Sequence, residues 1–368
     1  MYSGNTPSRL NKEHFNGAIN WISSGELKEH YIADTKEKIS DEAAKTLKML
    51  PIGTFVIAIY GLEADGIRGT GSITKTEATI SQACMAFTSK GKVQNEFLYS
   101  WYTKHGNVIG IRYAQGTKQQ NLSYDIIEKF KIAYPTFQEQ EKLNKFIALL
   151  DERIATQSKI IEDLKKLKCA IIENHYRQAK LHKYKICDLG VPFSVGSLSK
   201  EDLSEEGHEC ILYGELFTTY DCVINEVKSH TNKIANTTLS QKGDLLFPSS
   251  TTVDAVSLIS PSVIDIPNVI LGGDMFGIHI DKKFNAYYLS YYINLIARKK
   301  LAIYAKGSTI IHLHYKDISK AQLLLPDLCE QDKITKCMIA EDAKIKVEEQ
   351  LLTKLEKQKQ YLLRQMFI

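Results

Sequence analysis

The hydrophobic pattern changes period along the chain, and it does so twice in the same way. From Pro135 to about Lys180 there is neither proline nor glycine, and Leu143, Ile147, Leu150, Ile154, Ile161, Leu164 and Ile171 mark out an alternating four-and-three spacing. Gln157 and Lys168 fall where that series skips a position. This predicts a long helix with a coiled-coil seam, opened by a proline that disfavours helix before it. Ile334, Met338, Ile345, Leu352, Leu355 and Leu362 repeat the pattern near the C-terminus, interrupted by Glu341, Glu348 and Lys359. At 1.5 Å per residue each helix would run roughly 55–65 Å. A single exposed apolar stripe does not hold a helix in water, so the two are expected to pack on each other, antiparallel, with a globular domain at either end. Upstream of each helix, Phe55–Tyr60, Asp244–Phe247, Val269–Leu271 and Phe276–Ile280 read as buried strands. Phe97–Tyr102 and Tyr287–Leu295 read as aromatic-rich amphipathic helices whose rings belong to the core rather than to base stacking.

The doubling extends beyond periodicity. Pro135-Thr136-Phe137-Gln138-Glu139-Gln140-Glu141-Lys142 returns as Pro326-Asp327-Leu328-Cys329-Glu330-Gln331-Asp332-Lys333, an offset of 191 positions. The offset pairs Asp151 with Asp342, Leu164 with Leu355 and Lys168 with Lys359, and runs back to Gly116 with Gly307 and Leu122 with Leu313. Self-similarity on this scale decides architecture before any local reading does. The expected class is α/β, in the mixed α+β sense: domains at 1–135 and 182–326, each followed by a spacer helix, at 136–181 and 327–368. One element lacks a partner. The second copy opens with Tyr184–Gly190, whereas the first starts almost directly at Gly4, so the first is short by an N-terminal strand or turn of helix.

Composition narrows the possibilities only a little. The net charge of +4 permits a nucleic-acid partner without demanding one. The seven cysteines form no Cys-x-x-Cys pair and read as reduced thiols of a cytoplasmic protein. No apolar run approaches the ~20 residues that span a bilayer, so no membrane partner is expected.

Catalytic patterns are missing. The eight prolines are all isolated, which leaves no Pro-Pro-aromatic segment of the kind that positions a base for amino-methyl transfer. There is no phosphate-cradling Gly-x-x-x-x-Gly-Lys-Ser/Thr loop. Gly66-Ile67-Arg68-Gly69-Thr70-Gly71 lacks the strand–loop–helix setting of a nucleotide site and reads as a surface turn. His312-Leu313-His314 has no third metal ligand in view. Asp327, Glu330 and Lys333 hint at a nuclease, but their twins Thr136, Glu139 and Lys142 make helix capping the better account of both.

Recognition remains. Gly116–Leu122 and Gly307–Leu313 are polar, glycine-led loops at matching places, and Lys118, Gln119, Thr309 and His312, with Lys306 alongside, are the residue types that bond base edges and phosphates. Tyr60, Arg68 and Lys75 are expected to cluster on the loop after the first domain's main strand, with Ser250 and Thr251 in the counterpart loop. Taken singly, any of them is also an ordinary solvated turn residue.

With these features the chain resembles the specificity subunits of type I restriction–modification systems. The carriers are the two proline-opened helices, Ser3–Arg9, Trp21-Ile22, Leu50–Thr54 and Gly307–Ile310, and the likeness covers essentially the whole chain. The resemblance implies two target-recognition domains separated by two long antiparallel coiled-coil helices, each domain reading one half of a split, asymmetric site in double-stranded DNA. It implies a chain without catalysis of its own, bound by two modification subunits and by translocating restriction subunits. S-adenosylmethionine, ATP and magnesium would then belong to those partners. Leu143, Ile147, Leu150, Ile154, Leu164, Ile345, Leu352 and Leu355 would serve spacing and assembly. A coiled-coil structural adaptor, a truncated exchangeable specificity cassette and an unrecognised nuclease stay open as rivals.

Overall fold

Phe55, Val56, Ile57 and Ala58 are all buried, at most 1% exposed. Their strand is flanked on both edges, antiparallel to Gly71–Thr74 and to Cys84–Phe87, in a five-stranded sheet completed by Tyr31–Ile32 and Tyr2–Ser3. Asp244–Pro248 holds the same central place between Ser262–Ile264 and Met275–Ile280, with Val223–Ile224 and Gly190–Ser194 at the edges. The registers agree: Phe55 faces Ile73 and Phe87, while Leu245 faces Val263 and Ile278. A central strand shielded on both faces needs apolar residues throughout, which is why both copies read as unbroken hydrophobic runs. A second sheet accompanies each: Lys38–Ile39, Ile19–Ile22 and Ala78–Ile80 in the first copy, five strands between 203 and 272 in the other. The fold is mixed α and β.

This computed structural model describes residues 1–367. It divides into two compact units, Met1–Ser158 with the chain from Gln350 onward, and Lys159–Glu349. The division cuts both long helices, Phe137–Gln178 and Leu328–Met366, so each unit contains a stretch of each. The two stretches run antiparallel in both units. In unit 2, Lys165 meets Glu349 at 2.7 Å, Lys168 meets Asp342, and His175 meets Glu330 at 3.1 Å. In unit 1, Lys359 meets Asp151, the twin of the Lys168–Asp342 pair with donor and acceptor helices exchanged. Two residues skipped by the seam thus become its polar locks, and Lys168 keeps only 13% of its side chain exposed.

Ile147, Leu164, Ile345 and Leu355 are buried, and Leu143, Leu150, Ile154 and Leu352 are half-buried. At the two helix ends the seam needs correcting. Ile172 and Leu363 are the buried residues, at 0% and 7%, while Ile171 and Leu362 are only half-buried. A helix with 3.6 residues per turn drifts from a seven-residue repeat, and here it turns towards the globular core, which Ile172 and Leu363 join. The aromatic helices are Asn95–Tyr113 and Ala286–Tyr292, the latter running on through a π-turn at Ile293–Ala297. Phe97, Trp101, Tyr102, Tyr288, Tyr291 and Tyr292 are core, none more than 8% exposed.

Each helix opening carries a side-chain cap and a buried glutamine. Glu139 accepts from the Thr136 backbone N–H and hydroxyl at 3.0 and 2.7 Å, a capping box, and Asp327 accepts from the Glu330 N–H at 3.0 Å. Gln140 and Gln331 are buried, at 0% and 1%. Gln140 donates to the Lys92 and Pro135 carbonyls and accepts from the Gln94 N–H; Gln331 donates to the Pro326 carbonyl and accepts from the Asn285 N–H. Gln94 and Asn285 are themselves the caps of the aromatic helices. Each glutamine therefore ties the start of a long helix to the start of the helix packed in its unit's core.

Candidate nucleic-acid interface

The two glycine-led loops are tight hairpins of the same construction. Gln115 and Asn121 exchange backbone hydrogen bonds at 2.8 and 2.9 Å; Lys306 and His312 do so at 2.9 and 2.7 Å. Gly116 and Gly307 stand at φ +107° and +124°, and a Cβ on either would lie 2.0 Å from the carbonyl oxygen of Gln119 or Ile310. Glycine is what lets these turns close. The residues thrust outward differ: Thr117-Lys118-Gln119 in one, Ser308-Thr309-Ile310 in the other, all exposed. An identical frame presents different side chains.

Each hairpin docks on the segment that leaves the central strand. Tyr60 bridges Asn121 and Leu122 donates to the Ile59 carbonyl; Ser250 pairs with His312 and Leu313 donates to the Ser249 carbonyl. Tyr60 and Arg68 are thereby brought to the first hairpin, where Arg68 donates to Gln120 Oε1 at 2.9 Å and Glu63 accepts from the Gln120 N–H at 2.7 Å. Two buried polar atoms in this cluster, Arg68 Nε and Asn121 Oδ1, have no hydrogen-bond partner.

Lys75 does not belong there. Phe55 opposes Ile73 and Ile57 opposes Gly71, so Lys75 follows the strand end remote from Tyr60. Antiparallel pairing sends the two ends of the hairpin's strands in opposite directions. Its ammonium lies 3.8 Å from the centre of the Tyr31 ring instead. In unit 2, Ser250 is 8% exposed and sits within a strand pairing, while Thr251 is half-buried and accepts from the Val253 N–H. Neither is a projecting reader. Lys306 is tied to Asp317, whose carboxyl it holds below the usual range. His312 stacks on His314 with ring centres 6.0 Å apart and has Nδ1 4.0 Å from Asp274. Lys118, Gln119 and Thr309 are the exposed tips.

Sequence reading missed what anchors the first loop. Gly106 and Gly110 lie one helical turn apart on the aromatic helix, and the loop backbone at Gly69 and the stem of Arg68 press against that face. The four-residue spacing of the two glycines was the available signal. Gly110→Ala would place a Cβ 2.5 Å from Arg68 Cγ. Helix propensity alone favours the substitution by up to ~1 kcal/mol, but overpacking of this kind costs about 1–3 kcal/mol. The variant should therefore melt at or below the parent temperature. A clear rise in melting temperature would refute the packing argument.

Among the described residues no group of three or more His, Cys, Asp or Glu could hold a metal ion, and no helix is long and apolar enough to cross a membrane.

Comparison with known proteins agrees with this architecture. The family described as "Type I restriction modification DNA specificity domain" matches residues 2–166 and again 172–357. The MjaIX type I restriction enzyme specificity subunit of Methanocaldococcus jannaschii is 27% identical over 179 residues, which is 47% of this chain but only 40% of that protein. The crystal structure of a type I restriction-modification S subunit from M. genitalium aligns over 100% of this chain and 93% of its own, with a TM-score of 0.58 and 15% identity. A structure from work on complex assembly and conformational transition of the type I R-M system aligns over 94% and 90%, with a TM-score of 0.61 and 14% identity. At such identities the solved structures speak for the fold.

Proposed function

Since the chain belongs to the type I restriction-modification DNA specificity family, matched twice along its length, we propose that it reads a bipartite, asymmetric sequence in double-stranded DNA. Each unit reads one half. The observation that carries this is the pair of hairpins: same backbone, same docking on the central strand, different projecting residues. A shared scaffold with divergent tips suits two half-sites of different sequence. Unpartnered Arg68 Nε and Asn121 Oδ1 at the base of the first hairpin support a polar ligand there, because buried polar atoms are normally satisfied. Lys118 and Gln119 in unit 1, and Thr309 with His312 in unit 2, are assigned to base or phosphate contact; Tyr60 and Arg68 position the first hairpin. Lys75, Ser250 and Thr251 are not assigned to DNA contact.

In this reading the chain is not an enzyme. Modification and restriction subunits supply methyl transfer, translocation and cleavage, together with S-adenosylmethionine, ATP and magnesium. Because the seam residues are spent inside each unit, partners would meet the outward apolar positions of the helices, such as Phe146, Leu149 and Leu167, at 41%, 55% and 47% exposed. The modest net charge suits a protein that shares backbone neutralisation with partners.

The test is reconstitution. With its modification subunits, the chain should direct methylation to one bipartite sequence, mapped across a genome; alone, it should neither methylate nor cut DNA whatever cofactor is added. Unchanged methylation when the chain is omitted would leave only the adaptor reading. Magnesium-dependent, sequence-specific cleavage by the lone chain would establish the nuclease.

A further inference from the structure

The surroundings of the unit 2 hairpin differ in kind from those of unit 1 at three exposed positions. Val253, Ile303 and Ile310 leave 73%, 75% and 50% of their surface open to solvent. By the repeat, Ile303 and Ile310 answer Arg112 and Gln119, 191 positions earlier, and Val253 answers Glu63 at the offset of 190 that also matches Ser250 to Tyr60. All three unit 1 residues are exposed and polar. Single exposed apolar side chains are ordinary, but here each of the three stands where the other unit has a polar residue.

The three lie on adjoining pieces of chain. Thr251 pairs with Ile311, so the chain leaving that strand at Val253 runs beside the hairpin tip that carries Ile310. The helical turn that follows, Ala255–Leu258, packs on the hairpin strand and on the turn Ala302–Tyr304 that holds Ile303. Arg298 fastens the same pieces together, donating to the Val256 and Ser257 carbonyls at 2.7 and 3.1 Å. Lys299 and Lys300 are exposed and stand four and three positions before Ile303, on its side of the helical run. Two carboxylates beside the hairpin are already engaged: Asp254 accepts from the Ser257 N–H and hydroxyl at 2.8 and 2.7 Å, and Asp317 holds Lys306.

We infer that unit 2 reads its half-site through thymine 5-methyl groups in the major groove, with Val253 and Ile310 against the methyls, Ile303 at the edge of the patch, and Lys299 and Lys300 on phosphates. This rests on the DNA reading proposed above and narrows its substrate class to a half-site with A·T pairs where the hairpin faces it. The thymine methyl is the apolar group that base edges present in the major groove, so an apolar tip discriminates there by covering it. The polar tip of unit 1 suits hydrogen-bonding edges instead. The two lysines give the patch the charge that a polyanion requires, which assigns it to DNA rather than to a protein partner.

The experiment uses the chain reconstituted with its modification subunits, on duplexes carrying the mapped sequence. Thymines of each half are replaced in turn by deoxyuracil, which lacks only the 5-methyl group, and affinity is read by competition. Exchange in one half should weaken binding roughly fourfold per covered methyl, and exchange in the other half should leave it unchanged. A variant carrying Val253→Ser and Ile310→Ser should lose that sensitivity, because the two changes remove the same contact; Val253→Ile with Ile310→Leu should keep it. A parent complex that directs methylation to no bipartite sequence fails the DNA reading itself. With such a sequence in hand, unchanged affinity after exchange in both halves overturns the inference alone. So does an equal effect in the serine variant, which would place the methyl contact on the modification subunits. Loss of those subunits from the serine variant on size-exclusion chromatography also overturns it, by making the patch a protein interface.

Discussion

Alanine at Lys118 and Gln119 together should relax recognition of one half of the DNA site and leave the other half as it was. The two side chains sit at the tip of the unit 1 hairpin, exposed, so their loss leaves the fold intact. A well-formed base contact is worth about 1–3 kcal/mol, or roughly 5- to 150-fold in discrimination. Losing both contacts would make the affected half-site nearly degenerate at the positions they read. Thr309→Ala with His312→Ala should do the same to the opposite half. The measurement is methylation mapped over a library in which each half is randomised separately, with the reconstituted complex. Equal loss across both halves would mean that the hairpins serve folding or assembly.

Gln140→Leu should be the most damaging single change to unit 1 among those that touch no ligand. Leucine matches the size of the side chain but offers none of its hydrogen bonds, so the Lys92 and Pro135 carbonyls and the Gln94 N–H lose their partner at once. Leaving a buried polar group unsatisfied costs about 1–3 kcal/mol. Partial access to water at the backbone partners lowers the sum, so a loss of roughly 2–5 kcal/mol is expected. Both tryptophans, Trp21 and Trp101, lie in unit 1, so a urea titration followed by tryptophan emission reports this unit directly. A midpoint shift equivalent to less than ~1 kcal/mol would show that the glutamine is incidental to the helix anchor.

The doubled sequence determined a good deal unaided. The two proline-opened helices, the apolar central strands and the aromatic core helices follow from local period and from capping chemistry, which act between residues near in sequence. The repeat itself carried the expectation of matching glycine-led loops at Gly116 and Gly307; that both close as hairpins with glycine at positive φ came from the structure.

What only the tertiary structure decided concerns residues distant in the chain. Arg68 precedes the strand Gly71–Thr74 and Lys75 follows it, so the two lie at opposite ends of one strand, and no residue type reveals that. Ser250 has the side chain of a DNA reader, but its strand pairing with His312 buries it. Gln140 and Gln331 passed as helix-opening polar residues until their partners 46 positions upstream were in place. Lys168 and Lys359, which interrupt the seam on paper, meet Asp342 and Asp151 and complete it. Period and propensity are properties of one segment, whereas burial and pairing are properties of two, and it is the second segment that the local pattern does not contain.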